Sequence, residues 1–318
     1  MVKPRLVVCG SIAIDRIMNF SGNYHELIDA TKLEVLSLSV LVDSLKVSEG
    51  GIGANIAHYL AALGEQATLL GSIGNDGQDY LNRLNERGID TSAVHQSSLP
   101  TASFNVLTDT SGNQVGGFYP GAMSDADTLS FVPWANSDGE ILACVSAHDP
   151  AAMRRQIEEC VEHNLRLVYD PGQQVSTIPP DDLRAGVRAA EVVFVNEYEL
   201  SMLCKRTGLS EADIQTSVPV LISTLGQLGS RIFDSRISES FEVAIAKPDK
   251  FVDPTGAGDA YRAGFLYGYL RQWDVRKCGQ LGSVIASFAL ENHGPQSELT
   301  QEAVIKRYQK TFNERIEL

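Results

Sequence analysis

"EILACVSAHDPAAMRRQIEECVEHNLRLVYDPG", residues 140–172, decides the fold class. EILACVSA reads as a strand, PAAMRRQIEECVEHN as a helix and RLVYDPG as a second strand. The same rhythm continues in both directions. Downstream, a loop with two prolines (173–182) leads to the helix LRAGVRAA, the strand EVVFVN (191–196) and the helix EYELSMLCKRTG. The strands VPVLISTLG, SRIFDS and EVAIAK follow, then long helices over 257–271 and about 277–291, and one more at the end. Upstream, RLVVCGSIAID is a first strand ending at Gly10, with Asp15 closing the segment. An apolar run from Ser37 passes through a glycine pair into a helix with Ile56, Tyr59, Leu60 and Leu63 on one face, closed by Gly64. QATLLGSIG is a strand, DGQDYLNRLNERG a helix and DTSAVHQ a short extended piece.

Strands and helices alternating at this pitch predict an α/β fold, a mostly parallel central sheet flanked by helices. Residues 101–121 break the rhythm. TASFNVLTD alternates, TSGNQ turns and VGGFYPG returns, a hairpin pattern. With the irregular segment after Asp15 it predicts a small antiparallel β lid inserted into the large domain. The expected division is 1–14, 46–100 and 124–318 for the large domain, and 15–45 and 101–123 for the lid.

The chain has 318 residues, 43% hydrophobic and 21% charged, enough for a sizeable core. Its net charge of −14 argues against nonspecific nucleic-acid or acidic-lipid binding. Backbone dipoles can still hold an anionic ligand on an acidic protein. The five cysteines are scattered and form no C-x-x-C, which fits reduced thiols in a cytoplasmic protein. The apolar run at the start is short for a signal sequence, and no run approaches transmembrane length. Walker and dinucleotide-binding fingerprints are absent, the six histidines form no metal-binding pair, and Ser11 and Ser48 lack a nucleophile-elbow setting.

"DPTGAGDAYRAGF" (253–265) carries the most specific chemistry. Gly256, Ala257 and Gly258 leave a helix N-terminus open to a phosphate. Asp259, in the first turn, can take a proton from an attacking hydroxyl, or it is an ordinary cap. Asp15 can accept from two vicinal hydroxyls, or cap a loop. Gly50 and Gly51 permit close backbone approach, and the Asn55 amide can bond a hydroxyl, or be a buried structural amide.

DPTGAGDAYRAGF resembles the C-terminal signature of the ribokinase-like, or PfkB, family of sugar and nucleoside kinases. EGGIGANIAHYLAALG (49–64) resembles its N-terminal signature, in the right order and separation. GSIAID, FYPGAM, YDPGQ, NEYE and HGPQ make the chain most similar to bacterial nucleoside kinases of adenosine-kinase type. The resemblance implies that Asp259 is the base beside an anion cradle of Gly256, Ala257 and Gly258. Asp15, Gly50, Gly51 and Asn55 hold the acceptor. Phe104, Tyr119 and Met123 on or beside the lid, with Phe118, cover it, and Asp170 and Gln173 line the cleft. Asn196, Thr224, Gly226, Gly229, Thr255 and Asn292 contact ATP, and the segment from Asn292 to Gln296 borders adenine. Glu199 reaches Mg²⁺ through water, and Asp253, with Thr255, marks a candidate K⁺ site.

The implied reaction is transfer of the γ-phosphoryl group of MgATP to a nucleoside 5′-hydroxyl, adenosine first. A ribose, fructose or phosphosugar kinase is the near alternative; a phosphosugar would need Arg16, Lys32 or Lys46 for its phosphate. A catalytically silent binder is the alternative of another class, and the intact Asp259 argues against it. Small-molecule substrates are the expected partners, with no nucleic acid or membrane, in a monomer or a homodimer formed at the lid edge.

Overall fold

The computed structural model describes residues 3–28, 34, 37–135 and 139–318. The strands run in chain order β1 (Arg5–Cys9), β2 (Ala13–Asn19), β3 (Ser44–Gly50), β4 (Ala67–Ile73), β5 (Val94–Gln96), β6 (Ala102–Thr108) and β7 (Gln114–Tyr119). After them come β8 (Ile141–Ser146), β9 (Arg166–Asp170), β10 (Val192–Asn196), β11 (Val220–Thr224), β12 (Ser230–Asp234) and β13 (Glu239–Val243). Nine strands form one sheet, in the order β13-β12-β11-β10-β9-β8-β1-β4-β5. It is parallel from β5 to β11, and the β12 and β13 pairings are antiparallel.

Helices cover both faces, so each strand is apolar throughout. Alternate residues of a strand enter opposite cores. Leu6 and Val8 of β1 join Phe194, Phe265 and Leu281 on one side. Val7 and Cys9 join Met153, Leu183 and Leu203 on the other. The helices Ala257–Leu270 and Val275–Ala289 interlock where Gly264 meets Gly282: a Cβ on Gly264 would lie 2.8 Å from Gly282 Cα. Four of the five cysteines are buried, and all five are free. Among the described residues no helix is long and apolar enough to cross a membrane.

The second sheet, in the order β3-β2-β6-β7, is the lid. Its outer pairings are antiparallel and its central β2–β6 pairing is parallel. Three features differ from the sequence reading. Asp15 stands in the middle of β2 rather than closing the first strand, because the chain leaves the large sheet at Gly10. There a Cβ would meet Gly53 N at 2.8 Å, and only glycine allows the crossing. β3 begins at Ser44 and stays in the lid as far as Gly50, where the sequence reading gave 46–50 to the large domain. β13 starts before EVAIAK, because the β12 hairpin sets its register from Glu239 to Val243. A short helix, Glu211–Ser217, was not anticipated, although Ser210 and Asp213 form a capping box visible in the sequence.

Candidate active site

Adjacent parallel strands end along one edge. Ser146 is in register with Asp170, and Asn196 with Thr224. In open α/β sheets ligands bind beyond such carboxyl ends. Two helix N-termini converge there, and glycine begins each. Gly51, the N-cap of the Ile52–Ala62 helix, has φ 96°, and a Cβ on it would lie 2.4 Å from Ser11 O. Ser11 Oγ instead accepts from Ile52 N at 3.1 Å. Gly256, the N-cap of the Ala257–Leu270 helix, has φ 78°, and a Cβ there would lie 2.6 Å from Pro295 Cα. No side chain caps this second helix. Ala257 N donates to Pro254 O at 3.2 Å, and the next N–H groups, of Gly258 and Asp259, with the positive dipole end are left for an anion.

Asp259 is held in that first turn by a chain of hydrogen bonds. Asn55 Nδ2 donates to Asp259 Oδ2 at 2.8 Å. Gln296 Nε2 donates to Asn55 Oδ1 at 3.1 Å and to Tyr80 OH at 2.7 Å, and Tyr80 OH donates to Gly50 O at 2.9 Å. Asp259 and Gly50 are thus joined in one hydrogen-bonded unit. Gln296 belongs to that unit, which corrects its expected place beside adenine. Burial pushes the Asp259 carboxyl up to about 6, against the Arg262 charge and the Asn55 bond. Burial, then repulsion from Asp253, also pushes Asp15 up to about 6.

Behind Asp259 lies an ion pair that the sequence reading missed. Arg262 Nη2 donates to Asp170 Oδ1 at 2.7 Å, and its Nε lies 2.5 Å from Oδ2. The Asp170 side chain is 0% exposed, so it anchors Arg262 rather than lining the cleft as a substrate ligand, a correction to its expected role. Burial opposes the Arg262 charge, but Asp170 and Asp259 hold it above its ordinary pKa. Burial, then Asp170, raises the neighbouring Glu199.

Asn196 and Glu199 form a complete capping box: Asn196 Oδ1 accepts from Glu199 N, and Glu199 Oε2 from Asn196 N, both at 2.8 Å. One Glu199 oxygen is therefore committed. Mg²⁺ prefers oxygen ligands and retains its waters, so the other oxygen suits a water-mediated role. Asp253 binds backbone with both oxygens, Thr255 N at 2.9 Å and Gly294 N at 3.1 Å. The candidate K⁺ site thus finds both oxygens of its acid in use. Although burial pushes Asp253 up, these bonds and the Lys46 charge bring it below the usual range.

In the lid, Ser48, Asp15, Phe104 and Phe118 form one row across four strands. They therefore share a face, and Asp15 Oδ2 lies 2.7 Å from where a Gly50 Cβ would be. Tyr119 pairs with Ser103 and points from the opposite face, so Phe118 takes the covering position expected of Tyr119. Arg16, next to Asp15, also points away, toward Asp76. Lys32 lies outside the described residues. Met123 is half-buried in the turn after β7, and Gln173 is exposed just past β9.

A cavity of about 610 Å³ adjoins the open helix end, reaching from Thr224, Gly226 and Gly229 to Ala257 and Gly258. Ala246, Ala286 and Leu290 give it an apolar wall that the sequence reading did not name. Gly229, at φ 91°, lies against Val243 O, which a Cβ would strike at 2.0 Å. Asn292, expected at ATP, is exposed and stands outside this lining.

An open helix end with an acid in its first turn thus lies between the lid face that carries Asp15 and a cavity of about 610 Å³. The model of the pfkB family of carbohydrate kinases matches residues 3–302. The chain belongs to that family, and it is a phosphotransferase with an alcohol group as acceptor. It is 32% identical over 281 residues to a nucleoside kinase of Methanothermobacter thermautotrophicus, covering 85% of this chain and 87% of the relative. Burkholderia thailandensis nucleoside kinase, solved in complex with inosine, superposes with a TM-score of 0.86 at 31% identity, covering 98% of this chain and 99% of that one. The Methanocaldococcus jannaschii nucleoside kinase structure gives 0.85 at 28% identity, covering 96% and 98%.

The acids set a pH dependence. Asp259 must be ionised to accept a proton, and with its pKa near 6 we expect kcat/KM to fall as pH drops through about 6. Below that point the loss is about tenfold per pH unit, and steeper where Asp15 titrates as well. A profile flat from pH 5 to 8 would remove Asp259 from the base role.

Proposed function

We propose that this protein transfers the γ-phosphoryl group of ATP to the 5′-hydroxyl of a ribonucleoside, adenosine being the first candidate. The hydrogen-bonded chain from Gly50 through Tyr80, Gln296 and Asn55 to Asp259 carries this reading, because it ties a diol-binding pocket to a base at a phosphate cradle. The likeness to nucleoside kinases supports it, one of them solved with inosine.

Asp15 accepts the ribose 2′- and 3′-hydroxyls, and Asn55 orients the ring beside Gly50 and Gly51. Phe104 and Phe118 cover the base from the lid. ATP occupies the cavity, its ribose and phosphates along Thr224, Gly226 and Gly229, its terminal phosphate against the N–H groups from Gly256 to Asp259. Phosphoryl transfer has a loose transition state, so positioning and charge stabilisation dominate. Asp259 orients the 5′-hydroxyl and takes its proton late. When bound, Mg²⁺ neutralises charge on the phosphates. Glu199, through its uncommitted oxygen, orders the water around it. Lid closure excludes water from the site.

Screening ATP consumption over nucleosides and sugars, with products identified by mass, tests the reading. Nucleoside 5′-monophosphate is expected. A sugar phosphate as the sole product contradicts the acceptor, and binding without turnover contradicts the activity. We expect 2′-deoxyadenosine to show about 10–100-fold lower kcat/KM than adenosine, because it leaves Asp15 an unpaired acceptor. Equal values would remove Asp15 from the diol site.

A further inference from the structure

Lys46 is a charged side chain of the lid that the reaction described so far does not use. It stands on edge strand β3, two residues before Ser48 and four before Gly50, so all three face the same way as Asp15. Its Nζ is buried and has no hydrogen-bond partner, and Ser48 Oγ is likewise buried and unpartnered. Among the described residues no acid forms an ion pair with it. Asp253 feels its charge, but that carboxylate spends both oxygens on Thr255 N and Gly294 N, so the buried ammonium is left without a hydrogen-bond acceptor, which is costly.

The neighbours of this face indicate which ligand would complete it. The Ser48 side chain lies against Gly294, 3.3 Å from where a Cβ would stand. Gly50 lies against Pro295, and Pro295 packs on Gly256, the N-cap of the anion cradle. This face of β3 therefore lies between the acceptor pocket and the 294–295 turn that packs on the cradle's N-cap, with Lys46 at its far end within reach of Asp253. An anion arriving between the two would meet an ammonium and a hydroxyl that have no other partner.

We propose that Lys46, with Ser48, is the lid's phosphate-binding element. Its ammonium contacts oxygens of the phosphoryl group during transfer and of the 5′-phosphate afterwards, from the side opposite the helix dipole. This rests on the nucleoside kinase reading above. The lid would then sense the phosphate as well as the nucleoside.

The test is equilibrium binding of adenosine and of adenosine 5′-monophosphate, each without ATP, to wild type and to Lys46→Met and Lys46→Arg. We expect Lys46→Met to bind the monophosphate about 10–100-fold more weakly while adenosine affinity changes less than about twofold, and Lys46→Arg to recover much of the loss. Steady-state kinetics should show kcat falling with little change in the adenosine KM. Equal weakening of both ligands, or unchanged monophosphate affinity, overturns the role of Lys46 while wild-type adenosine binding leaves the nucleoside reading standing. A wild-type chain that binds neither ligand overturns the nucleoside reading itself, and this inference with it.

Discussion

Asp259→Asn is expected to lower kcat by about 10²–10⁴-fold without unfolding the protein. The amide keeps the shape, and its oxygen can still accept from Asn55 Nδ2, which bonds Asp259 Oδ2 at 2.8 Å. What it loses is the capacity to accept a proton. The stability consequence has a definite sign. Burial raises this carboxyl to about 6, so the ionised acid destabilises the fold above that pH, where wild type works. The thermal midpoint of Asp259→Asn at pH 8 should therefore equal or exceed that of wild type, and adenosine affinity should change little. Wild-type turnover in the purified variant would strip Asp259 of its role.

Arg262→Met should be the most destabilising substitution at the site. Arg262 is 11% exposed and Asp170 is 0% exposed, and removing one partner leaves the other charged and buried. Such losses cost about 3–5 kcal/mol, or roughly 4–8 °C in Tm for a chain of this size. Activity should fall as well, because the Arg262 charge holds Asp259 down against its burial, so the acid limb of the pH profile should move upward. The double variant Arg262→Met/Asp170→Leu separates the two effects. It should regain part of the stability, since Asp170 is no longer left charged and unpaired while Asp259 and Glu199 still lose the Arg262 charge, and remain impaired in turnover. A single variant with wild-type Tm and pH profile would mean that the pair neither anchors the helix nor tunes the base.

The parts of this site legible in the sequence are those that local backbone chemistry dictates. Gly51 and Gly256 have positive φ and no room for a side chain, so the glycines in both signatures mark the helix starts. The strand–helix alternation gave away the sheet because each strand must be apolar on both faces. Long-range partners were hidden. Arg262 and Asp170 are 92 residues apart, and Gln296 and Tyr80 are 216 apart. The only local hint of Arg262 was its place three residues after Asp259, on the same helical face. In the lid the parity of β7 decided between Phe118 and Tyr119. A hairpin's register depends on its turn, and a slip of one residue exchanges the faces. The resemblance placed Asn196 at ATP and Glu199 near Mg²⁺, while their three-residue spacing is also that of a capping box. The structure forms the box and leaves one Glu199 oxygen for the metal role.

A crystal structure of the protein with a non-hydrolysable ATP analogue, Mg²⁺ and adenosine addresses the central claim most directly. The account predicts the terminal phosphate oxygens within about 3 Å of the N–H groups at the start of the Ala257–Leu270 helix, with the 5′-hydroxyl hydrogen-bonded to Asp259. A terminal phosphate lying away from that helix end, or an acceptor hydroxyl beyond the reach of Asp259, would contradict it.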